Sequence, residues 1–168
     1  MFAAILGTGM LAKEEGAHTA EFLFTTPHTR TYHIALKAVA LGLSVLLFNL
    51  LAIGFGYGSF LAINETLEGN EFVIYHLAQL CMHLQIAYLC FAVSAVLKRS
   101  AMGLGIGLAI LLYFVQIFVN ISDKVEFLKY FTPFYYSDAA EIFYSGELQL
   151  NLMFIGEITT IFFIVFGF

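Results

Sequence analysis

The chain has 168 residues, of which 61% are hydrophobic and only 11% charged, with a formal net charge of -5. Ordinary soluble domains carry about 25% charged residues, so this composition cannot coat a soluble core and marks an integral membrane protein. The acidic balance, with no basic cluster, excludes a nucleic-acid-binding footprint.

Residues 1–12 form a short apolar stretch, about half a membrane span. No basic residue precedes it and its charges follow it, the reverse of a secretory signal. With the last apolar run ending at Phe168 without a polar flank, both ends read as cut, as in a fragment or a chain that starts inside a transmembrane helix.

Residues 13–37 are a polar island between apolar runs: Lys13, Glu14, Glu15 and Gly16, then Thr19, Glu21, Phe22, Leu23 and Phe24, then Pro27, Arg30 and Lys37. Thr19 is a candidate N-cap, and Phe22, Leu23 and Thr26 fall on one side of the short helix it would start. Pro27 disfavours helical backbone at Thr26, so the chain turns there. Two readings stay open. One is an interfacial helix anchoring a loop; the other is a docking helix whose Phe22-Leu23-Phe24 knob fills a groove in a soluble partner, oriented by Glu21 and Arg30.

Four apolar runs follow, at 39–63, 72–97, 101–121 and 151–168. Each approaches or exceeds the 18–20 residues or so that cross about 30 Å of hydrocarbon as a helix. The predicted fold is therefore all-α: a polytopic transmembrane helical bundle of four spans plus a partial N-terminal one, in a single domain. Lys and Arg set its orientation. Lys13, Arg30 and Lys37, then Lys98 and Arg99, fall on alternate connections, while Asn64–Glu71 carries acids and no base. The positive-inside rule predicts that residues 13–37 and 98–100 are cytoplasmic and that the acidic connections face outward.

Within the spans, Gly54 and Gly58, and Gly103 and Gly107, form small-xxx-small pairs, readable as helix packing within the subunit or as a dimer seam. His76, Gln79, His83 and Cys90 recur at helical offsets on one face. They are candidates for interhelical hydrogen bonding or for the lining of a substrate path. His76 and His83 are two turns apart, roughly 10 Å, too far to share one ion held by ligands near 2 Å, so no metal site is predicted. Cys81 and Cys90, about 13 Å apart along one helix, read as buried thiols. Tyr113, Gln116 and Asn120 mark a similar face on the next run. Glu157 lies about 9 Å into the last. An intramembrane acid is a functional candidate by default; pairing with Lys124 or Lys129, or snorkelling to water, are the alternatives. Residues 122–150 are too polar to span and rich in Phe and Tyr. They read as two short helices broken at Pro133, lying in or dipping into the outer leaflet.

Two motifs carry a family resemblance. Glu14-Glu15-Gly16, Thr19, Glu21-Phe22-Leu23, Pro27, Arg30 and Lys37 resemble the cytoplasmic loop of ABC-2 type permeases, the membrane subunits of ABC exporters. Tyr130-Phe131-Thr132-Pro133-Phe134, Tyr136, Asp138-Ala139-Ala140 and Ile142 resemble the outer segment before their last helix. Ala17-His18 departs from the small residue common beside that threonine. The resemblance implies six helices, of which this chain lacks the first and most of the second.

It also implies a permease subunit of a multi-pass cell-membrane exporter, working as a homo- or heterodimer in the bilayer, with ATP and Mg bound by a separate ABC ATPase. Residues Glu14, Glu15, Thr19, Glu21, Phe22, Leu23, Pro27 and Arg30 would couple to that ATPase. His76, Gln79, His83, Gln116 and Glu157 are the pathway candidates. The chain itself carries no G-x-x-x-x-G-K-[ST] loop, so no cofactor and no catalytic residue is predicted in it. A membrane anchor recruiting a soluble partner and a membrane-embedded enzyme using His76, His83 and Glu157 are the competing readings.

Overall fold

The computed structural model describes residues 1–10, 29–63, 69–97, 102–145 and 149–166. Among them there is no strand; the chain is a helical bundle. Its elements are α1 (Phe2–Gly9), α2 (Arg30–Ala62), α3 (Gly69–Val96), α4 (Met102–Ile121), a 3-10 helix η1 (Asp123–Tyr130), α5 (Ala139–Ser145) and α6 (Leu150–Phe166). Among the described residues three helices are long and apolar enough to cross a membrane, within α2, α3 and α4; Leu150–Val165 is apolar but shorter.

The second helix begins earlier than its apolar run suggests. Thr29 caps it, its side-chain oxygen accepting from the Tyr32 N–H at 3.3 Å, which satisfies one of the orphan donors of a helix start. The 33 residues of α2 rise about 50 Å, more than a hydrocarbon core of about 30 Å. Arg30 and Lys37 are therefore helical residues at one end of α2, not part of a loop. Along α2, Leu43, Leu47, Leu51 and Phe55 are exposed, as lipid-facing side chains are.

The middle of the bundle is α3. Half of its span window is buried, against 22% for α2 and for α4, because α1, α2 and α6 all pack on it. Short α1 wedges between α3 and α4. Its small side, Ala3, Ala4, Gly7 and Thr8, is buried, and small residues let backbones approach closely in lipid. A Cβ on Gly7 would collide with the Ala87 carbonyl, and one on Gly105 of α4 would lie 2.6 Å from Thr8 Cγ2. The Thr8 hydroxyl is satisfied inside its own helix, donating to the Ala4 carbonyl at 2.8 Å. The predicted pairs Gly54/Gly58 and Gly103/Gly107 do not serve this purpose: nothing described lies within 4 Å of a Cβ built on any of the four. Close packing among the described residues falls to Gly7, Gly42, Gly105 and Gly156 instead.

After α4 the chain turns back into the bundle. The stretch 131–138 separates η1 from α5, so the break around Pro133 is several residues wide. The Thr132 hydroxyl donates to the Leu112 carbonyl at 2.9 Å, a level about 14 Å below the Ile121 end of α4 by helical rise. Irregular backbone survives at membrane depth only where protein covers it, and Thr132, Pro133, Tyr136 and Ser137 are all buried. Phe127 and Tyr144 remain exposed, as in an interfacial aromatic belt, and Phe131, beside Thr132, is exposed deeper in the bundle. On η1, Lys129 bonds Glu126 at 2.6 Å, which holds the Glu126 carboxyl below its ordinary range and raises the Lys129 ammonium.

Candidate functional site: a polar seam on the central helix

The polar side chains of α3 do not share one partner. Gln85 makes two bonds to different elements: its Nε2 donates to Thr159 Oγ1 of α6 at 2.9 Å, and its Oε1 accepts from the Tyr136 hydroxyl at 3.0 Å. Thr159 in turn donates to the Gly156 carbonyl at 2.7 Å. Gly156 permits this meeting, since a Cβ there would stand 2.8 Å from Gln85 Oε1 and 3.2 Å from the Tyr136 ring. The hub thus ties α3, α6 and the 131–138 turn at one buried point.

One turn above Gln85, Cys81 of α3 lies near Glu157 of α6. Glu157 is half-buried. Lys129, one of its expected partners, is engaged with Glu126; the neighbours of the acid are Cys81 and the Tyr136 side. Gln116 of α4 is buried and donates to Asp138 Oδ2 at 3.1 Å. Asp138 Oδ1 accepts from the Ala140 N–H at 2.9 Å, so the same carboxylate caps α5 and fastens it to α4. Tyr113, one turn away, meets the Phe134 ring edge-on with centroids 5.7 Å apart, while Asn120 is exposed.

On the opposite side, His83 Nδ1 lies 3.1 Å from Asn49 Oδ1 of α2. Asn49 is 3% exposed, and its Nδ2 donates to the Val45 carbonyl at 2.9 Å. That leaves Oδ1 as the acceptor and places the His83 proton on Nδ1. Two turns up, His76 and Asn49 line an open groove of about 570 Å³ between α2 and α3, otherwise walled by apolar side chains such as Leu46, Phe72 and Leu80. The Phe72 ring meets His76 edge-on at 4.3 Å between centroids.

Of the pathway candidates, His76 and His83 therefore face α2, Gln116 reaches the 131–138 turn through Asp138, and Glu157 stays half-buried on α6 near Cys81. Gln79 leaves the set: it donates to the Tyr75 hydroxyl at 2.8 Å, and the Tyr75 ring packs near Phe143 of α5. Cys90 is fully buried and would abut a side chain on Gly7 of α1. The stripe splits because offsets of seven drift by about 20° per heptad on a straight helix, and because α1, α2 and α5 cover α3 at different heights. The coupling candidates Glu14, Glu15, Thr19, Glu21, Phe22, Leu23 and Pro27 lie outside the described residues; Arg30 opens α2. Among the described residues no three His, Cys, Asp or Glu side chains cluster to hold a metal.

Asn49, Gln85, Tyr136, Asp138 and Thr159 are the members that sequence reading did not assign a role. A signal existed for three of them: the amides Asn49 and Gln85 and the hydroxyl Thr159 are polar groups in apolar runs, which must find partners in lipid. Which partner each finds is not written in the run.

A helical bundle with apolar helices long enough to span, and with buried interhelical amides, defines a multi-pass membrane protein. The sequence model described as ABC-2 family transporter protein matches residues 1–168, and the chain belongs to that family. It is thus a membrane permease component of an ABC transporter. No curated protein and no solved structure matches the chain significantly.

Proposed function

We propose that the chain is the permease subunit of an ATP-driven exporter, working as a dimer and moved by a separate ATPase that docks on residues 13–37. The observation that carries this reading is the family match over the whole chain. The fold supports it. Phe2 of α1 stacks on Phe48 at 4.6 Å, and Gly7 lies against Ala87 and Cys90, so α1 descends toward the end where α3 stops and α2 and α4 begin. Met10 and Thr29, the flanks of the polar island, therefore leave from the bundle end where α3 stops at Val96, the end that the positive-inside rule assigns to the cytoplasm.

In this reading the ATPase binds ATP and Mg and tilts α1 and α2 through Glu14, Glu15, Thr19, Glu21, Phe22, Leu23, Pro27 and Arg30. The substrate moves past His76, His83 and Asn49 between α2 and α3, and the Gln116, Gln85 and Glu157 contacts hold the 131–138 turn over the exit. Co-purification and transport with the cognate ATPase test it. Glu21→Arg and Phe22→Ala should abolish ATPase association or transport while membrane insertion stays normal, because neither residue is in a span. An anchoring helix would tolerate Glu21→Arg and bind anionic lipid better. Full transport by both variants refutes the docking role.

A further inference from the structure

Two open cavities lie on the α6 side of α3, and Leu89 and Phe163 border both. The upper, about 670 Å³, lies against Tyr130, Phe131 and Pro133 and has Gln85 and Thr159 on its wall. The lower, about 800 Å³, follows Val93 and Leu97 of α3 beside Phe162 of α6. Their shared residues join them into one groove. The groove has Leu112 of α4 on its upper wall, yet α4 and α6 do not pack against each other along their length. It therefore opens sideways, between helices, toward the bilayer. Because α3 and α6 pack directly, what remains is a cleft for a slender chain.

Its chemistry narrows the occupant. Nearly every wall is hydrocarbon, and the amide and hydroxyl at its top bond each other. A buried water needs two to four polar partners, which this cleft does not offer along Leu89, Val93 and Leu97. A dry void forfeits dispersion contacts on every wall. From Gln85 to Leu97 the groove rises about 18 Å, close to the roughly 15 Å that half of a 30 Å hydrocarbon core measures. Its lower end is at the Leu97 terminus of α3, where one leaflet meets its headgroups, and its upper end is near mid-membrane. An occupant of one-leaflet length, apolar throughout and arriving laterally, is a lipid tail.

We infer that this groove is a binding site for one acyl chain of a membrane phospholipid, drawn from the leaflet on the Leu97 side, with its terminal methyl under the Tyr136–Gln85 hub. The site needs neither ATP nor a transported substrate, so it stands apart from the transport reading.

The test uses the full chain in vesicles of phosphatidylethanolamine and phosphatidylglycerol, doped with a phosphatidylcholine that carries a diazirine midway along one acyl chain. After irradiation, mass spectrometry should find adducts concentrated on Leu89, Val93, Phe162 or Phe163. Val93→Trp fills the cleft and should cut those adducts several-fold, whereas Leu47→Trp, on the exposed face of α2, should leave them unchanged. Val93→Ser, which leaves the cleft open, separates blocking from misfolding and should keep labelling near the unmodified level. Adducts spread evenly over exposed residues such as Leu47, Phe55 and Phe118 would overturn the site. So would undiminished labelling in Val93→Trp, or a crosslink through Leu89 or Val93 to a second copy of the chain in place of lipid.

Discussion

Tyr136 and Gln85 are 51 residues apart in the chain and 3.0 Å apart at their polar atoms. Tyr136 is 4% exposed and Gln85 8%. With the Thr132 and Asp138 bonds, this contact ties a non-helical turn into the bundle at a depth where uncovered backbone would be costly, and it does so by filling the acceptor of an amide already bonded to α6.

Tyr136→Phe removes the donor and leaves Gln85 Oε1 buried without it. A stranded buried acceptor costs about 1–3 kcal/mol, while interhelical hydrogen bonds measured in membranes average about 0.6 kcal/mol. A loss of about 1 kcal/mol is expected, seen as a lower unfolding midpoint in detergent or bicelles. Gln85→Leu should lose more, because Tyr136 and Thr159 both lose their partner. A Tyr136→Phe midpoint equal to the unmodified protein's would mean that the turn is held by Thr132 and Asp138 alone.

The glycines separate close packing from open surface. Gly7→Ala should destabilise by about 1–3 kcal/mol, as overpacking does, since the obstacle is the Ala87 carbonyl and backbone cannot step aside. Gly54→Ala and Gly103→Ala meet nothing within 4 Å and should be neutral or slightly stabilising through better helix propensity. Unfolding midpoints of the three variants read this directly; a midpoint loss at Gly54 would point instead to a contact with a second subunit.

Asn49→Ala, His83→Ala and the double variant form a thermodynamic cycle for the α2–α3 contact. A coupling of about 0.6 kcal/mol, no larger than about 1.7, is expected from such bonds in membranes. Additive losses would show that the 3.1 Å contact contributes no energy of its own.

The orientation is open to labelling. With Cys81 and Cys90 replaced, a cysteine at Asn70 should react with a membrane-impermeant maleimide in intact cells, and one at Ser100 should not. The reverse pattern would turn the bundle over, place residues 13–37 outside, and remove the basis for ATPase docking there.

Much of this protein was legible in its sequence. Length and apolarity alone required spanning helices, because hydrocarbon accepts backbone only with its polar groups bonded, and a helix does that locally. The spans at 72–97 and 101–121 match α3 and α4 closely since both ends carry polar residues. The break at Pro133, the burial of Cys81 and Cys90 and the family motifs were equally local. The start of α2 at Arg30 was harder: a polar first turn continues a helix once Thr29 caps it, and apolarity does not record that.

What only the tertiary structure decided is which neighbour covers each face at each height. Helical periodicity says that His76, His83 and Cys90 point the same way; it cannot say that α2 meets His83 while α1 meets Cys90. The glycine pairs Gly54/Gly58 and Gly103/Gly107 are not used for packing among the described residues, while Gly7, Gly42, Gly105 and Gly156 sit where another helix or its side chain arrives. The reason is that a gap between glycine and lipid, or between glycine and a carbonyl, is set by the partner helix's placement. Gln85 found Tyr136 and Thr159, and Gln116 found Asp138, by the same route: a polar group in lipid must pair, but the pair is chosen in three dimensions.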